Sequence, residues 1–253
     1  MPRLGSWLQQ VRDNRGLSQR QLALRTNISE PYIPKIEAGR IPSREVLDQL
    51  ICTLSLNPMQ ARYTRDLWAP AASLPSIDEL RERSTTSSRI EHLERLDDSG
   101  VIAVYTDPLW NILAANASFH RALPGLAEPE NNLALWHFHS TRGRRPAMDV
   151  TLQWEHEAAF LVSILRGAFG RYRESPRARD LFERLRHDKT FARLWSDIVN
   201  VAYARRTGDR AQLRDPATGE PYSISIDIHE VADAPEIRVC YAIRHPPKVR
   251  AVQ

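Results

Sequence analysis

The sequence predicts an α+β protein in two parts: an all-α N-terminal domain of five helices, then an α+β domain with a five-stranded antiparallel sheet. Three observations predict it. Apolar residues recur at helical spacing from Leu4 to Trp68. Residues 69–87, APAASLPSIDELRERSTTS, lose that period to Ala, Ser and Pro. Beyond them come two short β-type runs, several helical segments and further alternating runs. An antiparallel sheet with helices over one face closes that order most simply. A length of 253 residues suits one large domain or two small ones, and 42% hydrophobic residues suffice for packed cores.

Leu4, Leu8 and Val11 mark the first helix. Ser18 and Gln21 have capping-box spacing and open the second, with Leu22 and Ala23 inward. Arg25 to Ile28 make a turn in which Asn27 tolerates left-handed angles. Ser29 is expected to cap the third helix, with Glu30 on its positive end, Ile33 and Ile36 on one face and Gly39 ending it. Pro31 costs that helix little. Pro34 is expected to delete a backbone hydrogen bond, so the helix either kinks there or is short. Ser43 caps a fourth helix with Val46, Leu47, Leu50, Ile51 and Leu54 inward. Cys52 falls on the same face, as a buried free thiol. Pro58 starts a fifth helix to about Trp68.

Residues 70–87 read as a pliable linker with one helical turn at Ile77 to Arg83. Arg89 to Leu96 is helical. Val101 to Tyr105 and Trp110 to Ala114 form a hairpin around Asp107-Pro108. Asn116 opens a helix to about Leu123, and Asn131 to His139 is short and helical. Trp154 to Tyr172 is a long amphipathic helix, followed by Arg177 to His187 and Asp188 to Trp195. Val199 to Arg206, Arg210 to Leu213, Tyr222 to Val231 and Glu236 to Arg244 are candidate strands. Tyr222, Ile224, Ile226 and Ile228 alternate with polar residues, as a half-buried strand does.

Residues 18–40 hold two short helices and a tight turn, the reading core of a helix-turn-helix. Net charge is +4. Over residues 3–44, Arg3, Arg12, Arg15, Arg20, Arg25, Lys35, Arg40 and Arg44 face only Asp13, Glu30 and Glu37. Beside a helix-turn-helix, phosphate contact explains that excess better than a solvated face. Gln19 and Gln21 start the second helix near a phosphate. Ser29, Glu30, Pro31, Pro34 and Lys35 occupy the part of the third helix that meets base edges. Lys35 can donate to guanine. Glu30 accepts from cytosine N4 or merely complements the helix dipole. Arg40 and Arg44 flank the helix and touch phosphate.

In the second domain Trp110, Phe119, Trp136, Phe160 and Trp195, with Trp154, form either an ordinary core or the wall of a cavity. Asn116 and Asn132 either orient a ligand's polar group or cap helices; for Asn116 the cap is preferred. Arg142 to Arg145 is a basic loop, solvated or in contact with a second phosphate. His137 and His139, two apart, diverge by about 200° on a helix. They read as core or surface histidines and not as metal ligands. Neither cysteine has metal-ligand spacing. GxSxG, P-loop and GxGxxG motifs are absent, and no carboxylate pair is nominated by spacing. No catalytic residue, metal or cofactor is therefore expected. No apolar run approaches about 18 residues and no leader precedes the first helix, which points to a cytoplasmic protein away from membranes.

Ser18-Gln19, Leu22-Ala23, Ile28-Ser29, Tyr32-Ile33, Lys35 to Arg40 and Pro42-Ser43 resemble the Xre-type, lambda-repressor-like helix-turn-helix family. The resemblance implies a five-helix DNA-binding domain at 1–69, with Arg12 paired to Glu37. Tyr105 to Asn116, Asn132-Leu133, Trp154, Trp195 to Ile198 and Tyr222 to Ile228 resemble the MmyB-like ligand-binding domain. That domain follows an Xre-type head in many actinobacterial regulators. This second resemblance spans 88–245, leaves 246–253 as a tail, and implies a PAS-like fold with a pocket for a small apolar ligand such as a fatty acid. Asn131 stands where Arg is usual, Asp197 where His is usual, and Asp215-Pro216 replaces His-Pro. One recognition helix covers a short half-site, so double-stranded DNA with a palindromic operator and a homodimer are the implied partners. Two rivals stay open. The second domain is a dimerisation or interaction module without a ligand, or it is an enzyme, against which the missing catalytic constellation speaks.

Overall fold

The computed structural model describes residues 1–127, 130–140 and 145–245. Contacts divide the chain into two compact units. One holds Met1–Ser73 with Val162–Tyr203; the other holds Leu74–Leu161 with the chain from Ala204 onward.

The first unit contains α1 (Leu4–Asn14), α2 (Gln19–Thr26), α3 (Tyr32–Glu37), α4 (Arg44–Thr53) and α5 (Pro58–Trp68). It also takes the second half of α11 (Trp154–Arg171), with α12 (Pro176–Arg186) and α13 (Lys189–Asp197). Trp7, Leu8, Leu22, Ile36, Leu50 and Tyr63 centre its core. Trp7 meets the Tyr63 ring edge-on at 4.9 Å and donates its indole N–H to Thr64 at 2.8 Å. A methyl group on Gly170 would lie 2.3 Å from the Tyr63 ring, so only glycine lets α11 pass that close. The capping box at Ser18 forms as expected, and Asn27 ends α2 in the left-handed region with φ 54°.

Four expectations need correction. Ser29 does not cap α3, which starts at Tyr32 after Pro31 and has no side-chain cap bond. Pro34 is therefore the third residue of the helix. The first four amides of a helix have no internal partner, so this proline deletes no hydrogen bond, and α3 is short instead of kinked. Cys52 is exposed, not buried. Residues 199–206 are not a strand; Val199, Val201 and Tyr203 pack on the helical core.

The second unit contains α6 (Ile77–Ser84), α7 (Ser87–Asp98), β1 (Ile102–Thr106), β2 (Ile112–Ala115), α8 (Ala117–Ala122), α9 (Leu133–Phe138), α10 (Pro146–Val150) and the first half of α11. It closes with β3 (Arg210–Arg214), β4 (Pro221–Val231) and β5 (Ala234–His245). The strands form an antiparallel sheet in the order β2-β1-β5-β4-β3. Because strand side chains alternate between faces, β1 splits its residues. Ala103 and Tyr105 join Leu80, Leu93 and Ile237 in one cluster, while Ile102 and Val104 face a cavity on the other side. Helices thus cover both faces of the sheet, not one. The expected linker is also more ordered than a single turn: α6 runs for 8 residues and buries Leu80 completely.

Candidate DNA interface and ligand cavity

Glu37, the last residue of α3, is held from two sides. Arg12 donates from Nε to Glu37 Oε1 at 2.6 Å and from Nη2 to Oε2 at 3.2 Å. Gln19 donates to Oε2 at 2.7 Å. Gly5 completes the seat, since a methyl group there would lie 2.3 Å from the Glu37 carbonyl oxygen. These contacts fix α3 against α1 and α2. Gln19, expected near phosphate, thus directs its side-chain amide nitrogen to Glu37. Gln21 is occupied as well, accepting from the Ser18 amide at 2.8 Å.

The remaining residues of that set stay outward. Ser29, Glu30, Pro31, Pro34, Lys35, Arg40 and Arg44 are all exposed. Arg40 lies over the Tyr32 ring at 5.2 Å, which orients its guanidinium beside α3. Arg44 follows the Ser43 cap of α4. The outward face therefore joins a Pro-bounded helix start, one lysine and two arginines. Of the basic loop at 142–145, residues 142–144 lie outside the described residues. Arg145 sits 4.8 Å over the Trp154 ring and donates to the Phe138 carbonyl.

In the second unit, α8, α9 and α11 roof the face of the sheet opposite Ala103 and Tyr105, over a cavity of about 140 Å³. Trp110, Phe119, Trp136 and Phe160 line it, with Val104 and Cys240 on the sheet side. Trp110 reaches it through a left-handed backbone, φ 66°. Asp107 builds that turn by accepting from the amides of Leu109 at 2.8 Å and Asn111 at 2.9 Å.

The other three expected ligand residues lie elsewhere. Asn116 caps α8 through the Phe119 amide and ties β1 by bonds to Ala103 and Val101. Asn132 caps α9 and donates to Leu109 and Asn111. Their amides are thus committed to the fold. Trp195 belongs to the first unit, stacked on Phe191 at 5.8 Å beneath the Arg166 guanidinium.

Three polar residues outside the expected ligand set also line the cavity. Glu157 and Arg205 form an ion pair with side chains only 10% and 6% exposed, and Arg205 lies 4.2 Å over the Phe160 ring. They are far apart in sequence, and Arg205 falls in the 199–206 stretch expected as a strand. His137 stacks on Trp154 at 5.1 Å, and burial pushes its imidazole down to about 4, so it is neutral. Only the third dimension pairs these groups.

The family model described as the MmyB-like transcription regulator ligand binding domain matches residues 89–248. The chain belongs to that family. A helix-turn-helix model matches residues 8–58, the stretch that contains α2 and α3. No curated protein matches the chain. The regulator therefore joins an Xre-like DNA-binding head to a ligand-binding domain, and neither family is enzymatic. No helix among the described residues is long and apolar enough to cross a membrane.

Proposed function

We propose that this regulator binds a palindromic operator as a cytoplasmic homodimer and that a small apolar ligand, fatty-acid-like in its chain, tunes that binding. Residues 1–69 are the DNA-binding part and 88–245 the sensor in this reading. The sheet order β2-β1-β5-β4-β3 supports a PAS-like sensor. The observation that carries the proposal is the cavity over that sheet. Its lining is aromatic and aliphatic apart from a few polar groups, the composition expected of a small-molecule site. At about 140 Å³ it resembles in size the roughly 150 Å³ apolar cavity known to admit a benzene-sized guest, which favours a ring or a medium acyl chain.

Pro31, Pro34 and Lys35 present the reading edge, and Arg40 and Arg44 the phosphate contacts. The ligand acts by binding one arrangement of the paired DNA-binding domains better than another, since equal affinity for both would shift nothing. A solid, cavity-free core would have favoured a pure interaction module; the cavity favours the sensor. The test is titration of a selected operator by the full chain with and without ligand. A change of about 5- to 150-fold in affinity is expected for coupling of ordinary size. Unchanged operator affinity with bound ligand would refute the sensor mechanism.

A further inference from the structure

The exposed face of α3 is poor in hydrogen-bonding groups. Pro31 and Ala38, which bound the helix, keep helical backbone angles, with φ −66° and −76°, so both continue its turn. At 3.6 residues per turn, Pro31, Pro34, Lys35 and Ala38 then fall within about 100° of arc. All four are exposed, whereas Ile33 and Ile36 point into the core. Glu37 is held by Arg12 and Gln19, and half-buried Tyr32 carries Arg40 over its ring. Ser29 and Glu30 stand in the turn ahead of the helix. On the face itself Lys35 alone has a side chain that can hydrogen-bond, since those of proline and alanine neither donate nor accept. In the major groove, where a helix of this kind docks, an apolar side chain has one counterpart among the base edges, the 5-methyl group of thymine. At 1.5 Å per residue the face is about 10 Å long, which spans about three base pairs at 3.4 Å each.

We infer that α3 selects its operator through pyrimidine methyl groups, with Pro31 and Pro34 seating one or two thymines beside the guanine taken by Lys35. The inference rests on the DNA-reading role of α3 proposed above and names the chemistry that this face reads. Arg40 and Arg44 hold the phosphates, so the prolines choose sequence without supplying the bulk of the affinity. 5-Methylcytosine carries its methyl at the same ring position as thymine. Cytosine is therefore rejected at these positions for want of a methyl, and methylation restores its binding.

The experiment uses the full chain and an operator that it selects from random duplexes, read by fluorescence anisotropy. Each thymine on either strand of one half-site is replaced in turn by uracil, which lacks only the methyl. One or two positions within a three-base-pair window are expected to lose about fourfold, the factor for burying one methyl-sized group. At those positions 5-methylcytosine should bind more tightly than cytosine by a similar factor. In Pro31→Ser and Pro34→Ser the uracil penalty should vanish at the position each proline seats. The uracil series on the unaltered protein decides even if a variant folds poorly. A selected window without thymine, uracil bound as tightly as thymine throughout, or a penalty that both variants retain would overturn the inference and leave DNA binding standing. Failure to enrich any sequence would overturn the sequence-specific reading, and this inference with it.

Discussion

Arg12 of α1 grips both carboxylate oxygens of Glu37 at the end of α3, at 2.6 Å and 3.2 Å. Both side chains are nearly buried, at 8% and 7% exposure. Removing one partner of a buried pair leaves the other charge uncompensated, typically at about 3–5 kcal/mol. Arg12→Met should therefore destabilise the chain by that order in urea unfolding. Arg12→Met combined with Glu37→Leu should recover much of the loss. A single variant within about 0.5 kcal/mol of the parent, the range usual for surface changes, would show that the pair does not hold α3 in place.

Lys35 and Arg44 should fail differently on DNA. Lys35 projects from α3, so Lys35→Ala should lose about 1–3 kcal/mol on the preferred operator and relax its choice at one position. Arg44 flanks the helix, so Arg44→Ala should weaken all sequences alike and reduce the salt slope by about one. Fluorescence anisotropy on operator and scrambled DNA over a salt series separates the two patterns. Equal losses on both DNAs for Lys35→Ala would remove it from base readout.

His137 sets a pH dependence of stability. Its folded pKa is about 4 against an ordinary 6.5, because burial disfavours the cation. Between those values the unfolded chain binds a proton that the folded chain refuses, so stability falls as pH drops from about 6.5 towards 4. The shift corresponds to about 3 kcal/mol in total. Denaturation midpoints of the parent and of His137→Gln, measured across this window, should diverge in slope. Parallel slopes would place the protonation elsewhere.

The two thiols should separate cleanly. Cys52 is exposed, while Cys240 lies under the cavity, where burial pushes its thiol up to about 12. The thiolate is the reactive form. A disulfide reagent should titrate one thiol in the native chain, none in Cys52→Ser, and both in urea. Prompt native reaction of Cys240 would show the sheet face open to solvent.

Local chemistry made much of this structure legible in the sequence. The Ser18–Gln21 capping box, the left-handed Asn27 and the Tyr222–Ile228 alternation each depend on neighbours a few residues away, and all three appear as read. The errors share a cause. Period alone places Cys52 and residues 199–206, yet whether anything covers them is decided by chain far away. At Pro34 the difference comes from the helix cap, which lies at Pro31, two residues beyond Ser29. In the cavity the aromatic wall was legible as composition, with Trp110, Phe119, Trp136 and Phe160 brought together. Its polar pair was not, since no spacing rule links Glu157 to Arg205.

The most direct test of the central claim, that the cavity holds a small molecule, is native mass spectrometry of the full chain, gentle and then denaturing. The same measurement is made on Ala211→Phe, because Ala211 lines the cavity and is 2% exposed. The account predicts a dimer carrying a discrete non-covalent mass that the variant lacks. A clean mass for the parent after incubation with medium-chain lipids, or an adduct that Ala211→Phe retains, would contradict it.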